Sequence, residues 1–223
     1  MPSFASFDDL NLKPELLQGI HSYGPRTPSR PHQVGLIPIL RNRDCMFQAP
    51  PGPMRMSTLS IGMLQRLDFS IEGLQALLVV NNDEAGEEFH RILSGLGEFL
   101  GVKIIQCFDA DDVSLRPLKN EPPHILIGTV RPIFQIITEN LADNSHLRMF
   151  VTDDGEQIVA EHVEEQALID SYWNWLPSDI QIINLLTTMT VDLIGMASRT
   201  MKLPMTLSTD ADNGDGEVGG AEL

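Results

Sequence analysis

The chain has 223 residues, 42% of them hydrophobic, which is enough for one large domain or two small ones. Lys and Arg total 15 against 31 Asp and Glu, a net charge of −16, and this balance opposes nucleic-acid binding, which depends on cations that neutralise phosphates. Cys45 and Cys107 are too far apart and too few for a disulfide framework or a structural zinc site.

Neither a secretory leader nor an 18-residue apolar run is found in the sequence. We therefore expect a protein that is not secreted, has no membrane contact, and works in the cytoplasm, the nucleus or both.

Helical and strand-like segments alternate along the chain. A capping residue, Asn11, and Pro14 predict the first helix, and residues 31–44 predict a second. Apolar runs of strand length follow at 45–47, 76–80, 102–108, 124–128, 147–151 and 180–186, and further helical patterns lie at 83–100, 132–142 and 156–173.

Fully apolar strands that alternate with helices are typical of a parallel sheet covered on both faces. We predict a single α/β domain over residues 11–207, an N-terminal extension over 1–10, and a disordered acidic tail over 208–223. Ligands of such sheets bind beyond the carboxyl ends of the strands, so the segments that follow the strands are the candidate site.

Many segments resemble, in order and spacing, the first RecA-like domain of DEAD-box RNA helicases, above all the translation-initiation and exon-junction members. They run from residue 6 to 207 and are SFDDLNLKPELLQGIHSYG, IPIL, FQA, QALLVV, HILIGT, MFVTDD and LLTTM. The resemblance implies a single RecA-like fold, and we expect the second such domain of the family to be missing.

The loop FQAPPGPMRM stands where the resembled family has its phosphate-binding loop, G-x-x-x-x-G-K-T. Gly52 is retained, Arg55 replaces the lysine, and the prolines provide no N–H groups for phosphate oxygens. We expect the planar Arg55 side chain to fit this loop poorly, because the loop is built for the point charge of a lysine.

The base-reading and metal-side positions are also altered. His32 replaces the glutamine expected to read adenine and is interpreted as a solvent-facing helix residue, while Gln33 is kept beside it. Asp153 matches the family's magnesium-side aspartate, and Asp154 replaces the next glutamate. This pair could hold a cation loosely, but we interpret it as a solvated acidic turn that caps the next helix.

The loops that grip RNA in the resembled family have changed charge here. Asp83 stands where an arginine is expected, Asp109 replaces a glycine, and Arg131 is shifted by one position. Because an anion repels phosphate, RNA binding through the usual surface is not expected.

These losses predict a protein that is not an enzyme, has no cofactor or metal, and acts as a protein-binding adaptor in RNA metabolism or RNA-based regulation. The resemblance implies a HEAT-repeat partner of the middle-domain type, and a basic protein would suit the candidate partner surface: Glu156, Glu161, Glu164, Glu165 and Asp170. The alternatives are a residual nucleotide or RNA binder with altered geometry, and a self-associating scaffold or homo-oligomer.

Overall fold

The computed structural model describes residues 4–109, 118, 121–161 and 174–209. A short 3-10 turn, Phe7–Leu10, precedes the first helix. The helices are α1 (Pro14–Tyr23), α2 (Arg30–Leu40), α3 (Pro53–Arg66), α4 (Asp83–Leu96), α5 (Val130–Thr138), α6 (Gly155–Glu161) and α7 (Val191–Thr200). The strands are β1 (Cys45–Gln48), β2 (Ala76–Val79), β3 (Ile104–Cys107), β4 (Ile125–Gly128), β5 (Met149–Asp153), β6 (Gln181–Leu186) and β7 (Met205–Ser208).

The strands form one parallel sheet in the order β3-β4-β2-β5-β6-β1-β7. This confirms the predicted α/β fold. The central strands are buried on both faces, as their continuous apolar sequences predict. The ends of β5, β6 and β1 are neighbours, since Asp153 pairs with Leu185 and Gln48 pairs with Leu186.

Two apolar clusters cover the two faces of the sheet. One contains buried side chains of α1 to α4, including Leu16, Leu59 and Phe89. The other contains side chains of α5, α6 and α7, including Ile133 and Leu193. Full burial of each such side chain is worth roughly 1.5–3 kcal/mol, so the two clusters dominate the stability of the fold.

Helix α1 approaches α4 closely because Gly19 has no side chain. A Cβ atom at this position would lie 2.0 Å from the carbonyl oxygen of Leu96, which is backbone and does not yield. Helix α4 begins as predicted at Asn82, whose side-chain oxygen accepts a hydrogen bond of 2.9 Å from the N–H of Ala85. It ends at Leu96 rather than at residue 100.

The described chain differs from expectation near its two ends. Helix α7 and strand β7 were not predicted, because neither has a long periodic apolar pattern. Phe4 and Phe7 pack into the core, so residues predicted as an extension pack with the domain. Thr209, inside the predicted tail, still donates its N–H to the carbonyl oxygen of Gln48. Residues 210–223 lie outside the described residues, and the domain boundaries stay predictions.

Two further observations concern membrane-spanning helices and the two cysteines. Among the described residues, no helix is both long and apolar enough to cross a membrane. Cys45 on β1 and Cys107 on β3 are buried, and neither forms a disulfide.

Candidate functional site at the carboxyl edge of the sheet

The candidate site lies where β5, β6 and β1 end side by side. Helix α3 follows β1 after a loop of only four residues, 49–52. This short loop places Arg55, in the first turn of α3, directly above the ends of β6 and β5. The topology therefore brings together residues that are about 100 positions apart in the sequence.

Arg55 occupies the centre of the site and its side chain is only 3% exposed. Its Nη2 donates a hydrogen bond of 2.8 Å to Asp154 Oδ1 and lies 3.1 Å from Asp153 Oδ1. Its Nη1 donates to the carbonyl oxygen of Ala49 at 3.2 Å and to Thr187 Oγ1 at 3.0 Å. One guanidinium thus connects the segments that follow β1, β5 and β6. The expectation that an arginine fits poorly here is wrong, because these oxygens match its two-pronged geometry.

Asp153 is buried at the end of β5, with a side chain 4% exposed. Burial raises the pKa of Asp153 to about 7; the Arg55 charge opposes the rise, while Asp154 and Glu156 add to it. Asp154 is less buried and has a positive φ of 53°. The interpretation of this pair as a solvated acidic turn is wrong for Asp153, since Arg55 shields that carboxylate from solvent.

Glu156 belongs to the same network and was predicted as a partner-facing residue. Its Oε1 accepts the N–H groups of Thr187 at 2.8 Å and of Thr188 at 3.0 Å. Glu156 therefore fixes the loop after β6 from the side of α6. Asp153 and Asp154 contact the Arg55 guanidinium, and Glu156 is near enough to help raise the pKa of Asp153, so the cluster contains three carboxyl groups and one guanidinium.

The network is not fully satisfied. Arg55 Nε, Asp153 Oδ1 and Glu156 Oε2 are buried and have no hydrogen-bond partner among the described residues. A buried charged group without a full set of partners costs stability. Such a pattern fits a site whose framework was shaped for another occupant, because a purely structural cluster tends to satisfy its polar atoms.

Gly52 lies at the start of α3, with φ 140° and ψ 176°. This backbone conformation excludes other residues, although no atom lies within 4 Å of where a Cβ would stand. Pro53 opens the helix without an N–H, and Met54 beside it is 39% exposed. The helix start therefore has fewer N–H donors for an anion than an ordinary N-terminus.

His32 is fully buried, so its interpretation as a solvent-facing residue is wrong. Its ring nitrogens lie 2.7 Å from Ser29 Oγ and 2.9 Å from Ser57 Oγ, which joins α2 to α3. Burial lowers the pKa of His32 to about 4, so the ring is neutral near pH 7. Gln33 lies apart from the site, where its amide group pairs with the backbone of Phe4.

A shallow cleft lies beside the start of α3. It has a volume of about 290 Å³, and Tyr23, Pro25 and Met54 are among its lining residues. The Arg91 side chain lies at this cleft and donates a hydrogen bond to the Tyr23 hydroxyl. Pro53 and Met54, which precede Arg55 on α3, also line this cleft.

The other strand ends carry mostly acidic groups. Asp83 and Asp109, which follow β2 and β3, are exposed, and Glu84 lies exposed beside Asp83. Arg131 follows β4 and is also exposed. Of the predicted partner surface, Glu164, Glu165 and Asp170 lie outside the described residues, and only the backbone of Glu161 is described.

No protein-family model matches the chain. Eukaryotic initiation factor 4A of Caenorhabditis elegans is 30% identical over 208 residues, which are 93% of this chain and 51% of the relative. The Neurospora crassa protein named ATP-dependent RNA helicase eIF4A is 28% identical over 209 residues, 93% of this chain and 52% of the relative. The structure of a DEAD box protein from Methanococcus jannaschii matches with a TM-score of 0.85 at 16% identity, covering 93% of this chain and 57% of that one.

The chain has the RecA-like α/β fold of DEAD-box proteins, and 93% of it is similar in sequence to initiation factor 4A. It spans about half the length of the curated relatives it matches. The prediction that it is not an enzyme is wrong, because relatives such as the Neurospora crassa protein are named ATP-dependent RNA helicases and thus point to an enzyme family. That prediction weighed changed loop residues, whereas the similarity extends over the whole framework.

The residues of this RecA-like domain do not fit a magnesium–triphosphate group in the arrangement described. Arg55 already fills the space between Ala49, Thr187 and the two aspartates. It also replaces the lysine that binds phosphate, and the prolines at 50, 51 and 53 lack the N–H groups that would donate to phosphate oxygens. A metal ion or phosphate at this point would first have to displace the guanidinium.

Two residues of the site were not identified from the sequence. Thr187 lies in the segment LLTTM but was not singled out there, yet its hydroxyl bonds both Arg55 and Asp154, the latter at 3.1 Å. Ser57 was not considered, and it holds His32. The position of Thr187 directly after β6 could have identified it, because β6 lies between β1 and β5 and its end is therefore at the centre of the site. No signal in the sequence pointed to Ser57.

Proposed function

We propose that this domain acts in RNA metabolism as a protein-binding adaptor that presents the carboxyl edge of a DEAD-box RecA-like sheet to a basic protein surface. The observation that carries the proposal is the charge of that edge. The cation that follows β1 is buried in its own network, while Asp83, Glu84 and Asp109 are exposed.

An edge with this charge repels RNA phosphates and attracts cationic groups of a protein. Charge complementarity of this kind raises the rate of encounter and suppresses wrong partners. A HEAT-repeat domain of the initiation-factor scaffold type is the partner class we put forward, in line with the similarity to initiation factor 4A.

The experiment is a binding titration of the purified chain with a HEAT-repeat domain of that class. We expect saturable binding that weakens as salt rises, since exposed charges are screened. Reversing Asp83 and Asp109 together to Lys should weaken the binding by about tenfold or more. The matched control is Glu72→Lys, because Glu72 lies at the opposite edge of the sheet with a side chain 76% exposed, and it should leave the affinity unchanged.

Parallel titrations test the competing ligands. Single-stranded RNA should bind wild type weakly, and more tightly after the double reversal. Tight RNA binding by wild type, or equal loss of HEAT-repeat affinity in the Glu72→Lys control, would overturn the proposal.

Residual nucleotide binding is the second candidate function. The cleft beside Tyr23, Pro25 and Met54 favours it, because an aromatic ring, apolar groups and a nearby arginine suit a flat, base-sized ligand. Titration with Mg²⁺–ATP and with adenosine separates the two ideas. Micromolar binding of either, abolished by Tyr23→Ala, would favour this candidate over the adaptor.

A further inference from the structure

We propose that Arg55 is a built-in counter-ion that competes with divalent cations for the carboxyl edge of the sheet and fills the space that a nucleotide phosphate would need. It would let the domain keep its site closed without a bound ligand, and any ligand that enters in the family's usual place would have to displace this side chain. The inference concerns the site alone and holds whether or not a protein partner binds.

The first argument is the chemistry of the atoms around the guanidinium. They are a backbone carbonyl oxygen, a hydroxyl oxygen and two carboxylate oxygens, from Ala49, Thr187, Asp154 and Asp153. Oxygen atoms of these types are the ligands that hard divalent cations select. Arg55 therefore places a positive charge where the surroundings already favour one.

The second argument is the charge balance. Asp153 and Asp154 both contact the Arg55 guanidinium, with Glu156 close by, and Asp153 and Arg55 are both nearly inaccessible to solvent. Removing the cation would leave two adjacent carboxylates close together in a poorly solvated place. The cluster then has two ways to recover, either by taking up a proton or by taking up another cation.

The third argument is mechanical. Arg55 lies on α3, and its hydrogen bonds reach the segments after β1, β5 and β6. Glu156 adds a connection between α6 and the loop after β6. These loops are thus cross-linked by the chain itself, a task that a bound ligand performs when backbone N–H groups and a lysine cradle phosphates.

The experiment compares melting temperatures of wild type and Arg55→Met in the absence and presence of millimolar Mg²⁺, Mg²⁺–ADP and Mg²⁺–ATP. Wild type should show no ligand-dependent shift. Arg55→Met should melt about 5 °C lower or more, because it leaves the carboxylates unpaired. The melting temperature of Arg55→Met should rise when Mg²⁺ alone is added, and should fall back to its metal-free value after chelation.

Arg91→Met is the matched control. Arg91 is exposed and pairs with Glu88 on the same helix, so its loss should change the melting temperature by no more than about 2 °C and create no response to Mg²⁺. Arg55→Lys should fall between wild type and Arg55→Met, since it keeps the charge but loses the second prong.

If Arg55→Met does not fold, the double variant Arg55→Met/Asp154→Asn keeps the test open. Removing one anion together with the cation should restore folding and a measurable transition. The proposal fails if Arg55→Met is as stable as wild type, if wild type is stabilised by Mg²⁺ or nucleotide as strongly as the variant, or if the double variant is no better folded than the single one.

Discussion

The two edges of the sheet tie their loops together by different means. At the amino edge, Asp44 accepts the N–H groups of Ile182 and Lys202, and Gln181 donates to the carbonyl oxygens of Ile39 and Arg43. At the carboxyl edge, Arg55 and three carboxylates do the corresponding work. The amino edge thus combines one buried charge with backbone groups, whereas the carboxyl edge assembles several charges against each other.

This difference concerns how each edge balances its charges. Backbone N–H groups stabilise the Asp44 carboxylate, so no cation is needed beside it. The charged partners at the carboxyl edge depend on one another. Buried atoms without hydrogen bonds occur at both edges, on Arg55, Asp153 and Glu156 at the carboxyl edge and on Gln181 at the amino edge. Substitutions at matched positions of the two edges sharpen the comparison.

The largest effect is expected at the amino edge. Asp44→Ala should lower the free energy of unfolding by about 2–4 kcal/mol, because it leaves the buried N–H of Ile182 and the partly buried N–H of Lys202 without their acceptor. Denaturant titration measures the change. Asp44→Asn, which keeps one acceptor oxygen, should lose less, and equal losses in the two variants would contradict the assignment.

A smaller effect is expected for the matching carboxylate at the other edge. Glu156→Ala also removes the acceptor of two N–H groups, those of Thr187 and Thr188, but it relieves repulsion on Asp153. We expect a loss of about 1–2 kcal/mol by the same titration. A loss as large as that of Asp44→Ala would show that repulsion between the carboxylates is unimportant.

The smallest effect is expected in the pH dependence of wild-type stability, where two buried groups oppose each other. His32 has a folded pKa of about 4 below its ordinary 6.5, so its contribution is fully present above pH 6.5 and is lost as pH falls through 4. Asp153 has a folded pKa of about 7 above its ordinary 3.8, so its contribution is fully present below pH 3.8 and is lost as pH rises through 7. Between pH 4 and 6.5 the two slopes oppose each other.

Replacing His32 with Gln should therefore expose the slope of Asp153. Stability of His32→Gln should fall as pH rises from 4 to 6.5, by at most about 1.4 kcal/mol per pH unit, while wild type should vary less. Urea midpoints across this range provide the measurement. Parallel curves for the two proteins would mean that His32 has the same pKa in the folded and unfolded states.

The framework was more predictable than the site, for physical reasons. Continuous apolar runs define buried parallel strands, so β1 to β6 were found from sequence, and Asn82 showed where α4 begins. Helix α7 and strand β7 lack such runs. The short β7, with the sequence MTLS, is held by its pairing with β1, which local sequence does not reveal.

The site was predicted by position but not by contact. Arg55, Asp153 and Asp154 were identified because each follows a strand or aligns with a resembled motif. Their mutual pairing depends on β6 lying between β1 and β5, and on the length of the loop before α3. His32 was misjudged because a polar residue in a helix was taken as exposed, while Ser29 and Ser57 provide the partners that make its burial acceptable.

The buried cysteines make the strands individually observable. Burial raises the pKa of Cys45 to about 12, so its reactive thiolate forms only after the surrounding structure opens. β1 lies inside the sheet between β6 and β7, whereas β3, which carries Cys107, is at the margin. A thiol-reactive dye would accordingly modify Cys107 during local fraying and Cys45 only during global opening, and so time the disassembly of the sheet without any introduced label.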